Sequence, residues 1–397
     1  MTTSFSYGAA FKTLTIAGAA LGLALGTVAA HAESIKVGML VTLSGPPGAL
    51  GGQSRDGFQL ALEELGGKMG GQDVEFIVED DELKPEVALS KANSLIERDS
   101  VDFVVGTIFS NMLAAVFKPV TQSETFLISP NAGPSTFAGK NCNQYFFVTS
   151  YQNNQNFETL GKYAEAAGIK KAFFLAPNYQ AGRDQAEGFR KHFTGEVVEE
   201  LYTPLGHKDF SAEIAQMAAS DAEALFTFMP GGMGVRLVKQ FRAAGLADRM
   251  KFYSAFTVDE TTLPAQQDDA VGFFGATNWA PNLDTPQNKA FVAAFEAKYG
   301  YVPGGYARQG YDTAMLSNAA VEAVGGELSD KDAVRAALKA ADFTSLRGDF
   351  SFNNNHYPVQ DFYLLQVAKR DDGKYQTEIV EKVFDDYADG FAESCPM

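Results

Sequence analysis

The stretch GMLVTLSGPPGALGGQSRDGFQLALEEL, Gly38 to Leu65, runs from apolar residues through a glycine- and proline-rich loop into a helix. Within it Phe58, Ala61, Leu62 and Leu65 recur at i, i+3, i+4 and i+7, the spacing of one buried helical face. The spacing predicts a helix over 53–65 and, before the loop, a strand over Lys36–Leu43. A loop that brings free backbone N–H groups to a helix start meets a phosphate, another part of the chain or a small ligand. The stretch carries neither GxxxxGK[ST] nor GxGxxG, so a nucleotide phosphate is disfavoured. Pro46, Pro47 and Gly51 read as residues that turn the chain.

The same alternation continues outward. Short runs rich in Val, Ile and Phe predict strands at Val74–Val78, Phe103–Gly106, Phe126–Ser129, Ala172–Ala176, Ala224–Phe228 and Phe252–Ser254. Helical patterns lie between them, one with the start signal Pro85. Strand and helix in alternation imply parallel sheets covered by helices on both faces. The series runs twice, with polar joins at Gln152–Asn156 and Ala276–Asn282. After Pro286 come helical stretches at 287–299, 306–325 and 330–341. Strand-like runs follow at Gly348–Phe352, Asp361–Val367 and Tyr375–Val380. These read as completions of two lobes, so the chain crosses between lobes more than once. The expected class is α/β, with two doubly wound lobes joined by three crossover segments and a ligand cleft between them. The division is 33–150 plus 282–352 for lobe 1, and 151–281 plus 353–397 for lobe 2.

The first 32 residues read as an export signal. Lys12 precedes the apolar run Leu14–Ala30, and Ala30-His31-Ala32 is a small-x-small cleavage site. The run is short for a membrane span, which favours a signal cleaved after Ala32 over an uncleaved anchor. No cysteine near the cut could carry a lipid. Loss of Lys12 takes the formal charge from −17 to −18, and 397 minus 32 leaves 365 residues, enough for two domains. An acidic surface disfavours nucleic acid and anionic membrane as partners. Cys142 and Cys395 are an even pair in an oxidising compartment, which favours a disulfide over two free thiols. Such a bridge would contribute on the order of 3–5 kcal/mol. With no CxxC and no third ligand, neither redox chemistry nor a zinc site is supported. No metal or cofactor is expected.

Catalytic patterns are sparse. His192, His207 and His356 are scattered, and no GxSxG or HExxH occurs. The acids Glu79–Glu82 could suggest a Mg²⁺ or acid/base site, and read instead as a solvated strand end. The chain is expected not to be an enzyme; a hydrolase is the alternative of a different class.

Several stretches in order carry a resemblance: LSGPPGALGGQSRDGFQLALEEL, VEDDELKPEVA, VVGTIFSNMLAAV, LISPNAGPS, APNYQAGRDQAEGF and NKAFVAAFEAKYGYVPGGYARQGYDTAML. Together they resemble type I periplasmic substrate-binding proteins of ABC transporters, in the branch of the leucine/isoleucine/valine-binding proteins and their relatives for amides, urea and aromatic acids. The resemblance implies two lobes that close by hinge motion on a small ligand and are then presented to a membrane permease, in the periplasm. A receptor-linked sensor is the other use of the same scaffold. The protein is expected to work as a monomer.

Within that frame the loops after strands supply the candidate ligand contacts. These are Ser44 and Leu50 at the cleft rim; Phe109 and Ser110 at a helix start suited to a carboxylate; Asn131 and Gly133 after the next strand; and Tyr179, Gln180 and Arg183 from the second lobe. Phe256 and Trp279 are candidates for an aromatic wall. The bland alternative for Ser110 and Ser135 is helix capping. For Arg183 it is a solvated ion pair with Asp184 or Glu187. Amino-acid binders of this family fix the ammonium with a second-lobe glutamate and a first-lobe threonine. The matching loops here read Phe228-Met229-Pro230-Gly231-Gly232-Met233 and Asn131-Ala132-Gly133, and the family's tyrosine before the loop glycine is Ala181. A buried ammonium without a partner is costly, so a free amino acid is disfavoured unless Asp184, Asp259 or Glu260 substitutes. The expected ligand is an aromatic acid of benzoate or cinnamate type; the alternative is a branched-chain or other amino acid or amide.

Overall fold

The computed structural model describes residues 1–10 and 34–397; the apolar run Leu14–Ala30 and the cut after Ala32 lie outside the described residues. A first sheet is built from β1 (Ile35–Val41), β2 (Lys68–Met69), β3 (Gln72–Asp80), β4 (Phe103–Gly106), β5 (Phe126–Ser129) and β6 (Phe146–Val148). Their order is β2-β3-β1-β4-β5-β6, parallel from β3 to β6 with β2 antiparallel at the edge. Every residue of β1 except Lys36 is buried, the continuous apolar run that a strand covered on both faces requires.

The second sheet holds β7 (Lys171–Pro177), β8 (Glu196–Thr203), β9 (Ala224–Phe228), β10 (Lys251–Ala255), β11 (Phe274–Thr277), β12 (Ser351–Phe352), β13 (Pro358–Lys369) and β14 (Tyr375–Tyr387). It runs β12-β13-β11-β10-β9-β7-β8, with β14 on β13. β7 to β11 are parallel, whereas β12, β13 and β14 pair antiparallel. The chain therefore passes from the first sheet to the second after β6. It returns after β11 to build helices Pro286–Tyr299, Gly305–Ala323 and Lys331–Ala340, and goes back to become β13. The three passages are tied to one another. Asn278 Nδ2 and Gln360 Nε2 both donate to the Ser150 carbonyl, at 2.7 and 2.6 Å, and Arg347 Nη1 donates to the Thr149 carbonyl at 2.9 Å.

Helix contacts within each lobe are unusually close. Helix Gly48–Glu64 packs on Gly305–Ala323, where a Cβ on Gly57 would lie 1.8 Å from the Ala307 carbonyl oxygen and one on Gly310 would lie 1.9 Å from that of Ser54. Helices Asn154–Ala166 and Gln180–His192 meet likewise, through Gly161 against the Phe189 carbonyl and Gly188 against that of Asn154. The opposing atoms are backbone and cannot rotate away. Gly57→Ala should therefore cost about 1–3 kcal/mol in a denaturant melt. Gly52→Ala, on the same helix with nothing within 4 Å of the added carbon, should raise stability by about 0.5–1 kcal/mol.

Three expectations change. The first helix begins at Gly48, five residues before the expected start, because Gly48 and Gly51 let it press onto the end of β1. A Cβ at these positions would lie 2.2 Å from the Leu43 carbonyl oxygen and 2.0 Å from that of Thr42. β8 was not expected; EVVEELYT sits at the sheet edge, with Glu196 and Glu199 exposed and Glu200 paired with Arg190. The acids 79–82 are not simply a solvated strand end. Asp81 is fully buried and accepts from the Thr42 hydroxyl at 2.6 Å, while Asp80 accepts from Ser44 Oγ and from the Leu43 N–H. Together they hold the turn that leaves β1. Cys142 and Cys395 form a disulfide, with Cα atoms 5.7 Å apart and a sequence separation of 253.

Candidate functional site

The carboxyl ends of the parallel strands face one another across a cavity of about 320 Å³. This is where open α/β sheets place ligands. The first lobe supplies Leu50, then Ile108, Phe109 and Ser110 after β4, then Asn131 and Ala132 after β5. Tyr151 and Asn153 come from the first passage between lobes. The second lobe supplies Tyr179, Ala181 and Gln185 after β7, Phe228 and Pro230 after β9, and Phe256 after β10; Tyr306 stands at the start of Gly305–Ala323. None of these side chains carries a full charge.

Ser110 opens the 13-residue helix Ser110–Gln122, whose first turn leaves N–H groups without an intrahelical acceptor. Its hydroxyl oxygen accepts from Asn153 Nδ2 at 3.2 Å, so its own proton is free to point at a ligand. Neither Ser110 nor Ser135 acts as a side-chain cap. Asn131 is committed within the protein: its Nδ2 donates to the Ile108 carbonyl and its Oδ1 accepts from the Tyr151 hydroxyl, each at 2.7 Å. Burial pushes the Tyr151, Tyr179 and Tyr306 hydroxyls far above the usual phenol range, so they stay protonated donors.

Aromatic rings form the remaining wall. Tyr179 stacks near Phe228 with centroids 6.1 Å apart, Tyr151 lies 5.4 Å from Phe256, and Phe109 lies 6.3 Å from Tyr179. Phe256 adopts a φ of 55°, a left-handed backbone that non-glycine residues rarely take and that is concentrated at functional sites.

The lobes are bound together beside the cavity by Asp184. This carboxylate is buried and accepts from Ser135 N–H at 3.1 Å, Ser135 Oγ at 2.6 Å, Asn153 Nδ2 at 2.8 Å and Gln180 Nε2 at 2.8 Å. The opening loop also reaches across: Pro46 abuts Gly232, and Leu50 abuts Gly231. The loop thus meets another part of the chain and, through Leu50, the cavity.

Of the residues expected at the site, the structure brings Leu50, Phe109, Ser110, Asn131, Tyr179 and Phe256 onto the cavity. Ser44 lies outside the lining, bonded to Asp80. Gly133 donates its N–H to Asn153 Oδ1, and Gln180 bonds Asp184, so both serve the join between lobes. Arg183 turns outward to Asn178 Oδ1 at 2.8 Å. Trp279 is buried with its Nε1 donating to Asn288, and borders a second cavity. Tyr151, Asn153, Gln185 and Tyr306 were not anticipated. Tyr151 borders and Asn153 lies within the polar join Gln152–Asn156, whereas Gln185 follows Ala181 at i+4 and so shares its helix face.

The second cavity, about 370 Å³, shares Phe256 and Tyr306 with the first and includes Glu260. Burial pushes the Glu260 carboxyl up from 4.5 to about 7, against the opposing bonds from the Thr377 N–H and hydroxyl. The folded chain therefore keeps a proton that the unfolded chain releases near pH 4.5. The contribution of Glu260 to stability should be fully present below about pH 4.5 and fall by on the order of 3 kcal/mol as pH rises through about 7. Melting of Glu260→Gln across this window should show that fall removed. Among the described residues no group of three or more His, Cys, Asp or Glu is placed to hold a metal ion.

Comparisons with known proteins agree with this geometry. The family described as periplasmic binding protein matches residues 34–374. A Leu/Ile/Val-binding protein homolog from Brucella melitensis is 29% identical over 90% of this chain and 93% of its own length. A solute-binding protein of an ABC transporter from R. palustris, solved in complex with benzoate, superposes with a TM-score of 0.87 at 31% identity, covering 92% of this chain and 100% of that one. A second from R. palustris, in complex with 4-hydroxybenzoate, gives 0.84 at 30% identity over 89% and 98%.

Proposed function

The chain belongs to the periplasmic binding protein family, and from that premise we propose that it serves an ABC importer, closing on a small aromatic carboxylic acid of the benzoate class. The observation that carries the ligand class is the lining itself: aromatic rings around a helix start with free donors, and no charged side chain. A carboxylate finds neutral donors and the positive end of the helix at Ser110, and its ring finds Tyr179, Phe228 and Phe256. An ammonium would find no carboxylate in this lining, because Asp184 is spent on Ser135, Asn153 and Gln180. The benzoate- and hydroxybenzoate-bound neighbours support the same reading.

In this reading residues 33–150 with 282–352 and residues 151–281 with 353–397 are the two closing bodies. The mature protein starts after Ala32, acts as a monomer in the periplasm, and hands its ligand to a membrane permease. The ligand shifts the population toward the closed form by its differential affinity. Thermal melting of ligand-stripped protein tests the class. Benzoate, 4-hydroxybenzoate or 4-coumarate should raise the melting temperature and leucine should not, since only binding to the native state stabilises it. A rise with leucine alone would restore an amino-acid binder. Ser110→Ala should weaken an aromatic acid by about 1–3 kcal/mol in titration calorimetry. Arg183→Ala should stay within about 0.5 kcal/mol of the parent.

A further inference from the structure

We infer that the preferred ligand is a ring-hydroxylated aromatic acid and that Gln185 reads the hydroxyl. The inference rests on the aromatic-acid reading given above. Gln185 lies on the helix Gln180–His192 one turn after Ala181, and both line the cavity. Its side chain is buried, with 1% exposure, and its Oε1 meets no hydrogen-bond donor among the described residues. Buried amide oxygens in folded proteins are almost always paired, so an unpaired one on a cavity wall marks a place for a donor from outside.

The neighbours explain why the protein does not fill that place itself. Ser135, Asn153 and Gln180 direct their donors to Asp184. Asn131 Nδ2 is held by the Ile108 carbonyl, and the Tyr151 hydroxyl by Asn131 Oδ1. No described donor on the wall, the Ser110, Tyr179 and Tyr306 hydroxyls included, is bonded to Gln185 Oε1, which leaves the place to a donor carried by the ligand. A carboxylate has no proton to give, and neither does an unsubstituted ring, whereas a phenolic hydroxyl does. Ser110 belongs to the first lobe and Gln185 to the second, so a hydroxylated acid can make polar contact with both and bridge them. A site that holds a buried hydrogen-bonding group rejects the analogue lacking its partner more strongly than an apolar wall rejects a change of size.

The test is titration calorimetry of the ligand-stripped mature protein with benzoate, 3-hydroxybenzoate, 4-hydroxybenzoate and leucine, on the parent and on Gln185→Met, which keeps the length and removes the amide. The parent should bind at least one hydroxybenzoate about tenfold or more tightly than benzoate. Gln185→Met should reduce that ratio to about threefold or less. A parent that binds benzoate as tightly as both hydroxybenzoates overturns the role of Gln185 while leaving the aromatic class intact. So does a folded Gln185→Met that keeps the ratio or loses all ligands equally. A parent that binds leucine and no aromatic acid overturns the class itself. If Gln185→Met does not fold, the parent's ratio alone decides.

Discussion

Asp184→Ala should raise the dissociation constant for an aromatic acid about a hundredfold, the largest effect expected of any single side chain outside the cavity lining. Asp184 leaves the second lobe on the helix after β7 and takes two bonds from Ser135, between β5 and β6 of the first. It also orients Asn153, whose amide reaches Ser110. Hydrogen bonds to a buried charge are worth about 1.5–3 kcal/mol each in net terms. In an opened cleft water would satisfy the same groups, so the variant loses stability chiefly in the closed form. Ligand binding, which requires closure, carries that loss. Calorimetry gives the affinity, and small-angle scattering of the unliganded variant should report a larger radius of gyration than the parent's. An unchanged affinity would show that Asp184 is not part of the latch.

Removing the disulfide should cost more in stability than any other change considered. With Cys142 and Cys395 separated by 253 positions, the chain-entropy account assigns the bridge about 5 kcal/mol, and native disulfides commonly return about 2–5. The double variant Cys142→Ser with Cys395→Ser should accordingly lose about 3–5 kcal/mol in a guanidinium melt. The tail around it is also held by hydrogen bonds: Asn355 Nδ2 reaches the Ala138 carbonyl and Asp389, and Asn354 Nδ2 reaches the Ala392 carbonyl. A loss below about 1 kcal/mol would mean that these bonds alone keep the tail in place.

The fold was largely legible because its signals are local and apolar. β4 and β5 were read at their observed bounds, since FVVG and FLIS are short apolar runs that only a buried strand explains. The start of the first helix differs because glycine has one meaning in a propensity scale and another in a packed fold: Gly48 and Gly51 weaken a helix in isolation, yet only glycine fits there against the Leu43 and Thr42 carbonyls just after β1. The site was legible where it follows strand ends, as at Phe109, Ser110, Asn131, Tyr179 and Phe256. It was illegible where tertiary bonds decide which way a side chain turns. Arg183 and Gln180 share a helix start with Ala181, yet one turns out to Asn178 and the other to Asp184. Gln185 lay five residues further on, and nothing in its neighbours' identities announces an unpaired oxygen.

The paired glycines of each lobe also bear on mechanics. Where two helices meet carbonyl against glycine, no side chain lies between them to change rotamer, and the contact has no soft degree of freedom through which one helix could slide on the other. Each lobe is stiffened in the same way, by Gly57 with Gly310 in one and by Gly161 with Gly188 in the other. A rotation of the lobes then has nowhere to be absorbed except in the three strands of chain gathered at Ser150, Asn278 and Gln360.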